Sequence, residues 1–282
     1  MRLSGPLPGK ITDPDSWIAA VRHAGYGAAN LPFGPEADEA TITAYLEAAA
    51  MADITIAEVG AWSNPIDPDP AKAREAIAHC LRRRGFAERI GARCCVNITG
   101  ARNPTKWDGP HVDNFSEATF DLIVETTREI VDAVNPKRTF YTLETMPWIF
   151  PSNPDEYLAL IKAIDRPGVA VHLDPVNMIN SPARYYRNGD FIRECFAKLG
   201  PLIRSCHAKD IILRESLTVH LDECRPGQGA LDYGVFLTEL AKLDADIPIA
   251  LEHLPQEEYP AAAEHIRCVA RQHNIRLKLP HA

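Results

Sequence analysis

Val169-Ala-Val-His-Leu-Asp174 is a short run rich in Val, Ala and Leu that ends on a carboxylate. Three further short runs end on a metal-competent side chain, two on a carboxylate and one on an imidazole: Thr139-Phe-Tyr-Thr-Leu-Glu144, Ile249-Ala-Leu-Glu252 and Ile203-Arg-Ser-Cys-His207. Apolar stretches this short are the signature of strands buried on both faces of a parallel sheet. Extending the pattern in both directions gives eight candidate strands: 2–7, 27–31, 54–59, 93–98, 138–144, 169–174, 203–207 and 248–252. Amphipathic segments over 13–23, 36–51, 71–90, 116–134, 154–164, 190–199, 233–243 and 260–273 fill the intervals with apolar residues at helical spacing. Strands alternating with helices imply βαβ units. Eight such units within 282 residues predict a single (β/α)8 TIM barrel spanning 1–282, an α/β fold. The competing doubly wound sheet loses its main support because the first glycine-rich turn lacks G-x-G-x-x-G.

Strands five to eight thus end on Glu144, Asp174, His207 and Glu252, separated by 30, 33 and 45 residues. In a barrel the C-terminal strand ends ring one opening, so the four side chains can face a common centre. Three carboxylates and an imidazole suit one hard or borderline divalent ion: Mn2+ first, with Mg2+ or Co2+ also fitting. Such an ion polarises a carbonyl and eases removal of the neighbouring proton. Singly, each acid could be a loop hydrogen-bond acceptor and His207 a satisfied core histidine. Four consecutive strand ends reading E, D, H, E favour the metal.

The rest of the chain limits the function. A formal net charge of −8 disfavours nucleic acid as partner, since phosphate neutralisation supplies most non-specific affinity. Arg82-Arg83-Arg84 reads as the solvated face of a helix. The seven cysteines form no C-x-x-C pair and read as small buried hydrophobes in a reducing compartment. With no apolar leader and no run of eighteen apolar residues, a cytoplasmic protein without membrane contact is expected. The longest loops, 62–70, 99–114, 175–188 and 209–231, all follow strands and predict a deep, covered pocket.

Thr142-Leu-Glu144, His172-Leu-Asp-Pro-Val-Asn177, Cys206-His-Ala-Lys-Asp210, Pro226-Gly-Gln-Gly-Ala-Leu-Asp-Tyr233 and Leu251-Glu-His253 together resemble the sugar phosphate isomerase/epimerase superfamily of xylose-isomerase-like barrels. The likeness runs along nearly the whole chain and is strongest from Phe140 onward. It implies that Glu144, Asp174, His207 and Glu252 hold a metal. In the ketose 3-epimerases of that superfamily, the two matching glutamates exchange protons with opposite faces of the sugar. Two positions depart from those epimerases: Asn177 stands where they carry a histidine, and Phe150 where they carry a substrate-binding glutamate. These departures point away from simple free-ketose epimerisation. His-Ala-Lys-Asp is closer to the pattern of members acting on keto-inositols and sugar acids, the inosose dehydratases among them.

Several other residues are candidate substrate contacts. Asn177, Lys209 and Asp210 lie at the expected mouth, although an ion pair capping the loop is an equal reading for the last two. Arg225 can reach an anionic group. Glu58 and Asn97 near the ends of strands three and four can meet hydroxyls, and Trp62 or Trp148 can cover a sugar's C–H face. His172 divides evenly between a site role and packing toward the helices. Gly227 and Gly229 read as backbone requirements of a tight loop.

The expected activity is a metal-dependent isomerase or epimerase acting on a small carbohydrate, with Glu144 and Glu252 as the bases that form a cis-enediolate. The alternative is a lyase or dehydratase in which the same enediolate expels a β-substituent. An abasic-site endonuclease would need additional histidines that strands two to four lack, and a non-catalytic relic would have lost a ligand. By resemblance alone, a homodimer or homotetramer is expected.

Overall fold

The computed structural model describes residues 1–134 and 137–281, so Asn135, Pro136 and Ala282 of the expected domain lie outside the described residues. Its strands are β1 (Arg2–Ser4), β2 (Ala28–Ala29), β3 (Thr55–Ile56), β4 (Glu58–Gly60), β5 (Cys94–Ile98), β6 (Phe140–Glu144), β7 (Val169–Leu173), β8 (Ile203–Ala208), β9 (Asp210–Arg214), β10 (His220–Cys224) and β11 (Pro248–Leu251). The helices are α1 (Pro14–Ala24), α2 (Glu39–Met51), α3 (Pro70–Ile90), α4 (Glu117–Asp132), α5 (Pro154–Ile164), α6 (Pro175–Met178), α7 (Pro182–Tyr186), α8 (Asn188–Leu199), α9 (Tyr233–Leu240) and α10 (Tyr259–Gln272).

Seven strands pair in the order β1-β11-β8-β7-β6-β5-β4, every pair parallel. The remaining arc is β2 with β3, also parallel. Single backbone bonds join this arc to the sheet on both sides. Gly27 N–H donates to the Leu3 carbonyl at 3.0 Å and Arg93 N–H to that of Ile56 at 3.1 Å. Between β3 and β4, Ala57 N–H donates to Ala29 at 3.0 Å, so the two short strands are one interrupted stave. The result is the eight-staved TIM barrel expected from the sequence.

Local chemistry sets the helix starts. Asp13 and Ser16 cap the start of α1 reciprocally, and Asn153 caps α5 just before Pro154. Gly25 ends α1 at φ 67°, a conformation that costs glycine nothing. Apolar faces of these helices close on the outer side of the barrel, where Trp17, Val21, Leu160, Ile164, Phe236 and Ile266 are fully buried. Inside the barrel the stack is polar: Arg2 at the base bridges Asp53 and Asp246, both at 2.7 Å, while Thr142, His172 and Ser205 lie above it.

Two loops carry structure that the sequence pattern did not announce. Residues 209–231 hold the antiparallel hairpin β9–β10, and the loop after β7 holds α6 and α7. The hairpin is largely exposed, so it lacks the one-sided apolar alternation that marks a packed strand. No helix among the described residues is long and apolar enough to cross a membrane.

Candidate metal centre and active site

Parallel strands place residues of like parity on one face, so the last inward side chain of each stave meets its neighbours at the mouth. Glu144 at the end of β6, Asp174 just past β7, His207 in β8 and Glu252 just past β11 do so here. Each offers one ligand atom, and the four atoms lie within 4.8 Å of one another. His207 Nδ1 is 2.8 Å from Glu252 Oε1, 3.0 Å from Glu144 Oε1 and 3.9 Å from Asp174 Oδ2. Asp174 and His207 are fully buried, Glu144 nearly so, and Glu252 is the most accessible, its side chain 18% exposed.

Lys209 enters the same ring. Its Nζ lies 2.6 Å from Glu252 Oε1, 2.9 Å from Asp174 Oδ2 and 3.4 Å from Glu144 Oε1. Lys209 follows His207 by two residues and so shares its face. The expected substrate contact is thus an internal cation of the ring. With His207 neutral, as a metal ligand must be, three carboxylates against one ammonium leave a double negative charge, which a dication would neutralise. Asp174 Oδ2 and Glu252 Oε1 also accept no well-formed hydrogen bond despite their burial. Carboxylate oxygens that converge on an imidazole nitrogen, ion-paired but without well-aligned donors, are the donor set of a divalent-metal site, so these residues fit such an ion.

The electrostatics follow from this crowding. Burial opposes ionisation of Glu144 and Glu252, but the His207 and Lys209 cations outweigh it and hold both carboxyls below the usual range. Burial dominates at Asp174 and pushes its carboxyl up, with Lys209 opposing. Burial also disfavours charge on His207 and Lys209, yet the surrounding carboxylates carry both well above their ordinary values.

Asn177 Nδ2 donates to Glu144 Oε1 at 3.0 Å and to the Thr145 carbonyl at 2.9 Å, which fixes the glutamate's orientation. Asp174 in turn caps α6, accepting from Val176 and Asn177 N–H. Beneath the ring sits Glu58, its Oε2 accepting from Ser205 Oγ at 3.1 Å and its Oε1 3.6 Å from His207 Nε2. Glu58 therefore backs the histidine. Burial raises its carboxyl, but His207 outweighs that and brings it below the usual range. The ring of His172 packs edge-on to that of His207 with centroids 4.0 Å apart, and burial pushes its pKa down to about 3.

Three candidates lie away from the cavity. Asp210 spends its carboxylate on four backbone N–H groups, those of Ile211, Gly227, Gly229 and Leu231, at 2.8–3.0 Å. A Cβ at Gly229 would stand 2.3 Å from Asp210 Oδ1, so only glycine allows that approach. Asn97 points outward to α3, bonding Ser63 N–H, Cys80 Sγ and Tyr141 OH. Arg225 pairs with Glu258 at 3.3 Å.

A cavity of about 470 Å3 opens over the ring. Trp62, Trp107 and Trp148 line it together with Met146, Lys106, Glu223 and His253. Trp62 lies 6.3 Å from the His207 ring, close enough to Gly60 that a side chain there would strike the indole. Glu223 comes from β10 and stands 3.8 Å from Lys209 Nζ and 3.2 Å from His253 Nδ1. That contact raises the His253 pKa, and His253 holds the left-handed φ of 57°. The sequence reading missed Glu223, Trp107 and Lys106 because their loops have no periodicity to place them.

Residues 18–269 match the family model described as xylose isomerase-like TIM barrel. This chain belongs to that family. Among solved members of the fold, endonuclease IV from Thermus thermophilus superposes with a TM-score of 0.71 at 13% identity, covering 96% of this chain and 100% of that one. The probable 3-DHS dehydratase from Bacillus anthracis gives 0.69 at 16% identity, over 93% and 94%. D-psicose 3-epimerase from Clostridium cellulolyticum, solved with D-tagatose, gives 0.68 at 16% identity, over 98% and 100%. Identities this low carry the fold and leave the reaction to the site. No curated protein matches the sequence.

Proposed function

We propose that this xylose isomerase-like barrel is a divalent-metal-dependent isomerase or epimerase of a keto-sugar or sugar derivative. The reading rests on one observation: Glu144 and Glu252 flank a ring of metal-competent atoms within 4.8 Å, at the floor of a cavity lined by indoles. A divalent ion in the ring, Mn2+ before Mg2+ or Co2+, would polarise the substrate carbonyl and acidify the neighbouring C–H. Glu252 is the accessible carboxylate and, held ionised, takes the α-proton to give a cis-enediolate. Glu144, oriented by Asn177, serves the opposite face. Return of the proton to the other face epimerises the substrate; return to the adjacent carbon interconverts aldose and ketose. Asp174 and His207 hold the ion, with Glu58 behind the imidazole as carboxylates commonly stand behind metal-bound histidines. Trp62 and Trp148 offer flat apolar surfaces to a sugar's C–H face.

A second reading, elimination of water or another β-substituent, is favoured by Lys209. Its ammonium stands 2.6 Å from Glu252, so an acid lies beside the base where a departing hydroxyl would need a proton. The acidic mouth and the net charge of −8 suit a small carbohydrate and oppose duplex DNA. A cytoplasmic homo-oligomer belongs to the same reading.

A screen of keto-sugars, inososes and sugar acids with the Mn2+-loaded protein in D2O tests it. Deuterium is expected beside the carbonyl, and Glu144→Gln or Glu252→Gln should abolish turnover with metal still bound. Retained turnover in either variant sinks the two-base scheme. Mass-neutral products alone sink the elimination.

A further inference from the structure

Beneath the carboxylate ring, inward positions of β4, β5, β7 and β8 make a second polar layer. Glu58 of β4 stands in register with Cys94 of β5, and His172 of β7 with Ser205 of β8. His172 and Ser205 precede the ring residues Asp174 and His207 by two positions, so strand alternation turns them to the same interior. Glu58, Cys94 and His172 each offer one ligand atom, and the three atoms lie within 4.8 Å of one another. All three residues are buried, Cys94 and His172 completely.

Neither ring nitrogen of His172 has a hydrogen-bond partner among the described residues. A neutral imidazole carries one N–H donor and one acceptor, and buried polar groups of this kind are nearly always paired. The nearest carboxylate oxygen, Glu58 Oε2, is 3.8 Å from His172 Nδ1, too far for a hydrogen bond. Two ligands about 2.0–2.2 Å from one zinc ion stand about 3.4 Å apart at the tetrahedral angle, so a small closure would seat an ion between them. Ser205 Oγ donates to the same Glu58 oxygen at 3.1 Å and steadies it. A cavity of about 300 Å3, bordered by Pro6, Ile11 and Pro32, reaches Glu58 and gives an ion a way in.

The donors differ from those of the ring above. One imidazole, one carboxylate and one thiolate select zinc over the oxygen-seeking Mn2+ or Mg2+. A bound metal deprotonates a coordinating thiol, so Glu58 and Cys94 together bring two negative charges and neutralise a dication by themselves. Each layer therefore closes its charge separately. Glu58 serves both with different oxygens: Oε1 faces His207 Nε2 at 3.6 Å, and Oε2 faces His172.

We infer that Glu58, Cys94 and His172 form a second divalent-metal site, of zinc type, under the first. Three protein ligands leave the fourth tetrahedral position to water. The ion is positional: by fixing Glu58 it fixes the carboxylate behind His207, and with it the aim of the imidazole. The site stands whatever reaction the upper ring performs.

Cobalt tests it, because a thiolate ligand gives Co2+ an intense charge-transfer absorption in the near ultraviolet that oxygen and nitrogen ligands do not. The metal-free, full-length protein is loaded with Co2+, and retained metal is measured after gel filtration. Two ions per chain and a thiolate band are expected in the parent, while Mn2+ alone should reach one ion per chain, in the upper ring. Cys94→Ser and His172→Gln should each keep one Co2+ and lose the band. Asp174→Ala, which dismantles the upper ring, should keep one Co2+ and the band. Zn2+ should bleach the parent's band at a concentration at least tenfold lower than Mn2+ requires. One Mn2+ retained per chain shows that a lower-layer variant has folded, and His172→Gln stands in for Cys94→Ser should the latter not fold. A parent that holds a single Co2+ or shows no band, a band that persists in either lower-layer variant, or equal bleaching by Zn2+ and Mn2+ overturns the inference.

Discussion

Replacing Lys209 by Met removes the one ammonium from the ring while keeping the length of the side chain. Lys209 is 2% exposed and touches Asp174, Glu252 and Glu144 at 2.6–3.4 Å. A unit pair near 4 Å at an effective dielectric of about 20 is worth about 4 kcal/mol. Breaking a buried pair by deleting one partner costs about 3–5 kcal/mol, because the other charge stays buried. For a chain of this size each kcal/mol moves Tm by about 2 °C. The metal-free variant should therefore melt about 6–10 °C below the metal-free parent. A bound dication would take over the neutralisation of Asp174, so saturating Mn2+ should shrink the gap to less than half. Calorimetric melts of both proteins, each with chelator and with excess Mn2+, decide this. An equal drop in the two conditions, or none with chelator, would refute the idea that Lys209 and the metal answer the same charge.

Asp210→Ala deprives four backbone N–H groups of their acceptor; with charged acceptors worth about 1.5–3 kcal/mol, a loss of about 3 kcal/mol in urea unfolding and faster amide exchange over 225–231 are expected. A variant that loses only activity would return Asp210 to the substrate. Asn153→Ala should cost about 1 kcal/mol by removing the cap of α5, seen as a lower urea midpoint with unchanged slope. Asp246, whose pKa is lowered to about 2 first by its bond to Lys278 and then by Arg2, carries a depressed folded value. Its stabilisation is present above the ordinary pKa of 3.8 and lost as pH falls toward 2. Because Asp246 is more than a third exposed, Asp246→Asn should cost only about 1 kcal/mol at pH 7, and the two melting curves should converge near pH 2.

The four ring residues were legible because buried parallel strands tolerate a polar side chain chiefly where they end, and the spacing of such ends repeats with the βα unit. Lys209 carried a usable signal that was read too loosely: two residues past His207, it had to share the inward face. Asn97 carried the opposite signal. Its neighbour Ile98 lines the cavity, so Asn97 had to face the helices. Glu58 faces inward, but its register partner is Cys94, four residues before Ile98, so it lies under the ring. Glu223 was out of reach, because β10 is mostly exposed and leaves no apolar period to fix its register. Asp210 looked like a mouth residue by position, and only the folded loop shows its oxygens already taken by backbone donors.

The ring of Glu144, Asp174, His207 and Glu252 as the seat of one divalent ion is tested by metal analysis of the purified protein reloaded with Mn2+, beside Asp174→Ala and His207→Ala. One ion per chain is expected in the parent and none retained by either variant through gel filtration. Stoichiometric metal surviving both substitutions would place the ion elsewhere and contradict the site.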